Sequence, residues 1–180
     1  MEILLVCGLF YIGFVYAQFL EWIIHKYLFH RLGKNKKNKF FAFHFYEHHR
    51  NSRNNLFIDN PSLKETVSII ILTILHLPVI AFSFALYGGI TAGALRYYYV
   101  HRRAHIEPEW CKENYPWHYA HHMAVTQEMN WGVTTDRFDK LFGTRLVYVG
   151  TEREKRDTQR RIKRLNRGRS NGRSDSHETR

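Results

Sequence analysis

Residues 3–30 read ILLVCGLFYIGFVYAQFLEWIIHKYLFH, an apolar run from Ile3 to Ile24 that ends at His25 and His30. A helix needs about 20 apolar residues to cross a bilayer, and this run supplies them. Its strongly polar side chains, Gln18 and Glu21, lie near the C-terminal end. Glu21 precedes His25 by four residues, so on a helix the two share a face. The chain opens Met1-Glu2 with no basic leader, and no small-x-small cleavage pattern follows. The run therefore reads as a retained membrane helix, not a signal peptide.

Beyond it comes a basic loop with Arg31, Lys34, Lys36, Lys37, Lys39, Arg50 and Arg53. The positive-inside rule places such a loop in the cytoplasm. Asn60-Pro61-Ser62 with Glu65 reads as a helix start, with a cap, a first-turn proline and a capping box. The nearly unbroken apolar stretch from Val67 to Leu95 holds Pro78, Gly88 and Gly89 and reads as a helical hairpin turning between His76 and Phe84. One span plus a hairpin puts His25 and His101 on the same, cytoplasmic side. His76, alone beside Pro78, reads as a turn residue outside any site. Pro116 can open a helix carrying Trp117 to Met123.

The expected fold is thus all-α: membrane helices topped by a cytosolic helical cap, in a domain over residues 1–150. Residues 151–180 carry eleven Lys/Arg against five Asp/Glu and read as a basic, disordered tail, with at most a short helix near Arg160 to Leu165. Its removal is expected to leave activity intact. The net charge of +11 suggests an anionic partner. For a polybasic tail beside a membrane, that partner is an anionic lipid surface in preference to nucleic acid. Cys7 and Cys111 lie far apart and form no C-x-x-C pair, which argues against a disulfide scaffold or a zinc ribbon.

Ten of the twelve histidines fall into four groups: His25 and His30; His44, His48 and His49; His101 and His105; His118, His121 and His122. Helical spacings of three and four let two imidazoles share one metal. His44 with His48, His101 with His105, and His118 with His121 and His122 fit that rule. Neighbouring residues on a helix point about 100° apart, so each doublet can serve two metals, or one metal and the groups that support its ligands. His25 and His30 are five apart and cannot share a face of a regular helix. Either the helix ends between them or they serve different metals. Ten imidazoles exceed the needs of one ion and suit two, and imidazole accepts Fe, Zn, Cu or Ni alike.

These groups resemble the histidine motifs of the fatty acid hydroxylase and sterol desaturase superfamily. Glu21-Trp-Ile-Ile-His25 is similar to that superfamily's E-x-x-x-H. Asn130-Trp-Gly132 with Asp139-Lys-Leu-Phe142-Gly143-Thr144 resembles its D-x-L-F-G-T ending. The resemblance spans roughly Phe19 to Thr144. It implies two metal ions, iron in the cell with zinc able to replace it in purified protein, held by the ten histidines. Glu21, Asn130 and Asp139 become candidates to support them.

It further implies a membrane oxidoreductase that uses dioxygen and two electrons to hydroxylate or desaturate a lipid C–H bond. The nearest branch is the fatty acid or sphingolipid type, with carotenoid and sterol enzymes of the same superfamily as the alternative. A non-catalytic metal-binding membrane protein is the reading from another class. The chain carries no haem domain, so electrons are expected from a separate haem or iron–sulfur carrier with its reductase. The membrane would be the endoplasmic reticulum in a eukaryote and the inner membrane in a bacterium. Phe40, Phe41, Phe43, Phe45, Tyr97, Tyr98 and Tyr99 could line a dry pocket, although an interfacial belt explains most of them. One departure stands out: the acidic residue that many members carry three before the third-motif histidine is Tyr98 here.

Overall fold

The computed structural model describes residues 2–55, 59 and 63–174, with side chains as far as residue 167, and every regular element among them is a helix. α1 spans Glu2–Ile23 and passes without a break into a wider π turn, Ile24–Leu32. A short irregular helix follows, made of α2 (Lys39–Phe43), a second π segment (His44–His48) and α3 (His49–Asn54). The expected cap at Asn60, Pro61 and Ser62 lies outside the described residues.

α4 runs Leu63–Leu75, a 3-10 turn Leu77–Ala81 follows at Pro78, and α5 returns over Phe84–Ile106. The Ser83 hydroxyl caps α5 by accepting from the Leu86 N–H at 3.2 Å. The turn thus falls within the expected window.

Two stretches, Glu2–Leu32 and Leu63–Ala81, are long and apolar enough to cross a membrane. Their apolar windows are 11% and 0% buried within the protein, which a soluble core helix would not be. α5 is not one of these stretches. Its apolar first half gives way to Arg96, Arg102 and Arg103.

α1 and α5 pack side by side in parallel through a seam of small residues. A Cβ on Gly13 would lie 2.1 Å from the Leu86 carbonyl oxygen, and one on Gly89 would lie 2.0 Å from that of Phe10. Close approach of this kind is the usual device where lipid removes the hydrophobic drive between helices. The parallel register brings His25 and His101 to the same end of the bundle.

The cap follows. α6 (Pro108–Asn114) and α7 (Pro116–Met123) both start on proline, and α7 matches the expected helix. A loop leads to α8 (Arg137–Leu141) and then to α9 (Glu152–Ser174). Ala104, Cys111, Ala120, Met123, Ala124 and Tyr148 form the small core beneath them.

The expectation of a disordered basic tail needs correction, because its residues from Glu152 to Ser174 are one helix. Its first turns are anchored by acidic and basic groups facing inward. Glu154 Oε2 accepts from the Gly150 N–H at 2.8 Å, and Asp157 Oδ2 accepts from the Val125 N–H at 3.3 Å. Arg161 donates to the Met123 carbonyl, and Arg164 donates to Asn54 Oδ1 at 3.1 Å. Composition alone gave high charge and little apolar surface, and missed that a few of these charges face the cap.

Candidate metal centre

The first two histidine groups owe their geometry to the π turns. Bonds from residue i to i+5 widen the helix so that side chains five apart come together. The Gly33 N–H reaches the Leu28 carbonyl at 3.1 Å, and the His49 N–H reaches that of His44. His25 and His30 thereby lie with ring centroids 5.1 Å apart, and His44 Nε2 sits 3.2 Å from His49 Nε2. The helix neither ends between His25 and His30 nor sends them to different centres. α5 brings His101 and His105 together at 4.8 Å by ordinary i, i+4 spacing, and α7 does the same for His118 and His122.

All ten histidines are buried. They gather into two groups that could each hold a metal ion. One is His25, His30, His49 and His121; the other is His48, His101, His105 and His122. Within each group the ligand atoms lie within 4.8 Å of one another. His44 adjoins the first, its Nε2 3.0 Å from that of His25, and His118 adjoins the second, 5.0 Å from the ring of His101. Both doublets are split, one member to each group, as the 100° step allows. His49 and His122 stack at 4.3 Å, so the groups share a wall. Of the two partners expected for His118, His122 joins it in one group and His121 goes to the other; His44 stays 4.9 Å from the ring of His48, but its Nε2 faces His25 and His49.

The donor set fits a metal. Burial, helped by the neighbouring imidazoles, pushes His44, His49, His118 and His122 well below the ordinary histidine value. Burial also takes His121 down to about 3. Neutral imidazole is the ligating form. His48 Nε2 and His101 Nε2 are buried without a hydrogen-bond partner. In the other group, His30 Nε2 faces His49 Nε2 at 2.9 Å and His121 Nε2 at 3.1 Å. Ring nitrogens this close in a buried space need a proton or a metal ion between them.

Compared with known families, residues 10–144 match the model of the fatty acid hydroxylase family. The chain belongs to the fatty acid hydroxylase family. No curated protein and no solved structure matches it.

In this hydroxylase-family chain the outer nitrogens show what orients the rings. His25 Nδ1 donates to the Trp131 carbonyl at 2.6 Å and His121 Nδ1 to that of Met129 at 2.7 Å. His49 Nδ1 lies 2.6 Å from the Gln127 side-chain amide, whose oxygen also meets Arg53 Nη2 at 3.1 Å. His48 Nδ1 donates to Asp59 Oδ2 at 2.7 Å, and His101 Nδ1 donates to Glu65 Oε1. Tyr97 OH adds a bond to the same Glu65 oxygen at 2.9 Å. Such partners fix the tautomer and aim Nε2 inward.

Glu21, Asn130 and Asp139, expected to support the histidines, act on them at one remove: they brace the loop behind. Glu21 accepts from the Val133 and Thr134 N–H groups and from the Thr134 hydroxyl. Asp139 accepts from the Trp131 and Gly132 N–H groups, each at 2.9 Å. Asn130, at φ 58°, holds Leu146 through both its amide atoms. The loop so braced carries the carbonyls that His25 and His121 use.

Sequence reading missed Asp59, Glu65 and Gln127. In the sequence Glu65 reads as a capping residue. The signal was its isolation as a carboxylate at the head of an apolar helix. It supplies His101 with the acid that Tyr98 does not.

An apolar cavity opens beside the centre between α1, α4 and α5. His25, Phe29 and Glu65 line it near the histidines, and it follows α4 as far as His76, about 16 Å away at 1.5 Å per residue. Of the seven aromatics suggested for such a pocket, Tyr97 lines it and the other six do not. His76 stays apart from both histidine groups, bonded to Tyr16 OH at 3.2 Å.

Proposed function

We propose that this chain is a membrane-bound, dioxygen-dependent hydroxylase or desaturase acting on an aliphatic lipid C–H bond, of fatty acid or sphingolipid type. The observation that carries the proposal is the pair of four-histidine groups sharing a wall, with His25 of the first bordering an apolar cavity that follows α4. Two bound metal ions, iron in the cell, would supply the capacity to activate dioxygen with two electrons from outside the chain.

The chain's own residues do the rest. The ten histidines would hold both ions, with His44 and His118 completing five nitrogens at each. The cavity would take an acyl chain along α4 and exclude water from the centre, leaving a methylene group beside His25 and Glu65. The exposed apolar faces of α1 and α4 support insertion in a bilayer. The parallel ends of α1 and α5 support one histidine-bearing face, and the positive-inside rule makes it cytoplasmic. Electrons would come from a separate carrier, and the outward cations of α9, such as Arg160 and Lys163, would meet anionic lipid headgroups.

The test combines metal analysis with product analysis. Purified in mild detergent, wild type should carry close to two metal ions per chain, and the His48→Ala/His121→Ala variant should carry few. Cells supplied with labelled dioxygen should accumulate a lipid one labelled oxygen heavier, or a lipid with one added double bond. A metal-loaded protein with neither product, given a competent electron donor, would overturn the oxygenase reading and leave a metal-binding membrane protein.

A further inference from the structure

The two histidine groups are held by acceptors of different electrical character. In the first, His25 and His121 donate to neutral backbone carbonyls, and His49 meets the neutral amide of Gln127. Behind that amide stands a cation, the Arg53 guanidinium, with Nη2 at 3.1 Å. In the second, His48 and His101 donate to carboxylates, Asp59 and Glu65. Both acids are shielded, with side chains only 13% and 12% exposed, so solvent screens their charge little.

A carboxylate behind an imidazole raises its basicity as a ligand and adds negative charge to the site. A cation behind one does the reverse. The stacking of His49 on His122 at 4.3 Å keeps the two positions close, so an ion in one opposes an ion in the other. Any difference in intrinsic affinity is therefore widened in the order of filling.

We propose that the two metal positions are inequivalent. The position formed by His48, His101, His105 and His122 fills first and empties last, and Asp59 and Glu65 are the positioning residues responsible. The position formed by His25, His30, His49 and His121 is the looser one, from which an ion exchanges. This rests on the metal-centre reading above. It adds which half holds its ion more firmly and which residues outside the ligand set decide it.

The experiment titrates the full-length, chelator-stripped protein in detergent with Co2+, following the visible spectrum against a competing chelator. Wild type should bind two ions in two resolved steps. Glu65→Gln and Asp59→Asn should each weaken the tighter step by about 10–100-fold and bring the steps together. Gln127→Glu, which places a carboxylate behind His49, should tighten the looser step instead. Helical content and thermal unfolding of each stripped variant verify that it is folded. Two equal steps in wild type would overturn the proposal while sparing the metal centre. So would weakening confined to the looser step in folded Glu65→Gln and Asp59→Asn, or no change in either. No binding by folded wild type would sink the metal centre itself and this proposal with it.

Discussion

Asp139 shows how much one buried side chain can carry. Its carboxylate accepts from Trp22 Nε1 at 3.1 Å and from the Thr144 hydroxyl at 2.7 Å, besides the two loop N–H groups. Asp139→Ala would strand four donors in a space with no access to water. A cost on the order of 3 kcal/mol or more is expected, since each stranded donor loses its solvation. Thermal unfolding of the purified variant measures it, and unchanged stability would refute this account of the loop.

The buried histidines also set a pH dependence. Their folded values lie below the unfolded value near 6.5, so below about pH 6.5 the unfolded chain binds more protons. Stability of the metal-free protein should therefore be level above that pH. It should fall on acidification toward about pH 3, by up to about 1.4 kcal/mol per pH unit for each such histidine. Chemical denaturation at pH 5, 6 and 7.5 checks the sign.

At the scale of elements, the α1–α5 seam and the π turns decide whether the groups meet. Gly89→Ala would drive a methyl group into the Phe10 backbone and push α1 from α5. The expected cost is about 1–3 kcal/mol, as for other overpacked contacts, with loss of bound metal as His25 moves away from His101. Gly8, on α1, has nothing within 4 Å of an added Cβ, so Gly8→Ala should change neither stability nor metal content. Equal effects at the two glycines would refute the seam. The π turns were foreshadowed by an awkward spacing. A separation of five positions between paired histidines suits no α-helix, yet recurs at His25/His30 and at His44/His49.

At the scale of the whole molecule, α9 lies outside the family match but is bonded to the stretch just after the fourth histidine group. Arg161 and Asp157 hold the Met123 carbonyl and the Val125 N–H, next to His121 and His122. Truncation after Thr151 should therefore cost several kcal/mol, from the loss of multiple buried hydrogen bonds. Metal per chain should fall with it, against the expectation that the tail is dispensable. Retention of wild-type metal by the truncated protein would restore that expectation.

Membrane placement has its own test. In a Cys7→Ser background, Phe82→Cys at the hairpin turn should react with an impermeant thiol reagent from the non-cytoplasmic side. Arg164→Cys on α9 should react from the cytoplasmic side. Labelling of both from one side would refute the proposed topology.

The sequence by itself determined the helical class, the apolar spans, the turn near Pro78 and the ten histidines. These follow from local rules of length, apolar content, proline geometry and residue spacing. It also allowed each doublet to split, because a helix turns by a fixed angle per residue, but did not require it. Only the tertiary structure decided which histidines meet, that Asp59, Glu65 and Gln127 stand behind them, and that the basic tail folds onto the cap. Those outcomes depend on contacts between residues far apart in the chain. They also depend on π turns whose wider girth is stable only when packing around the site holds it.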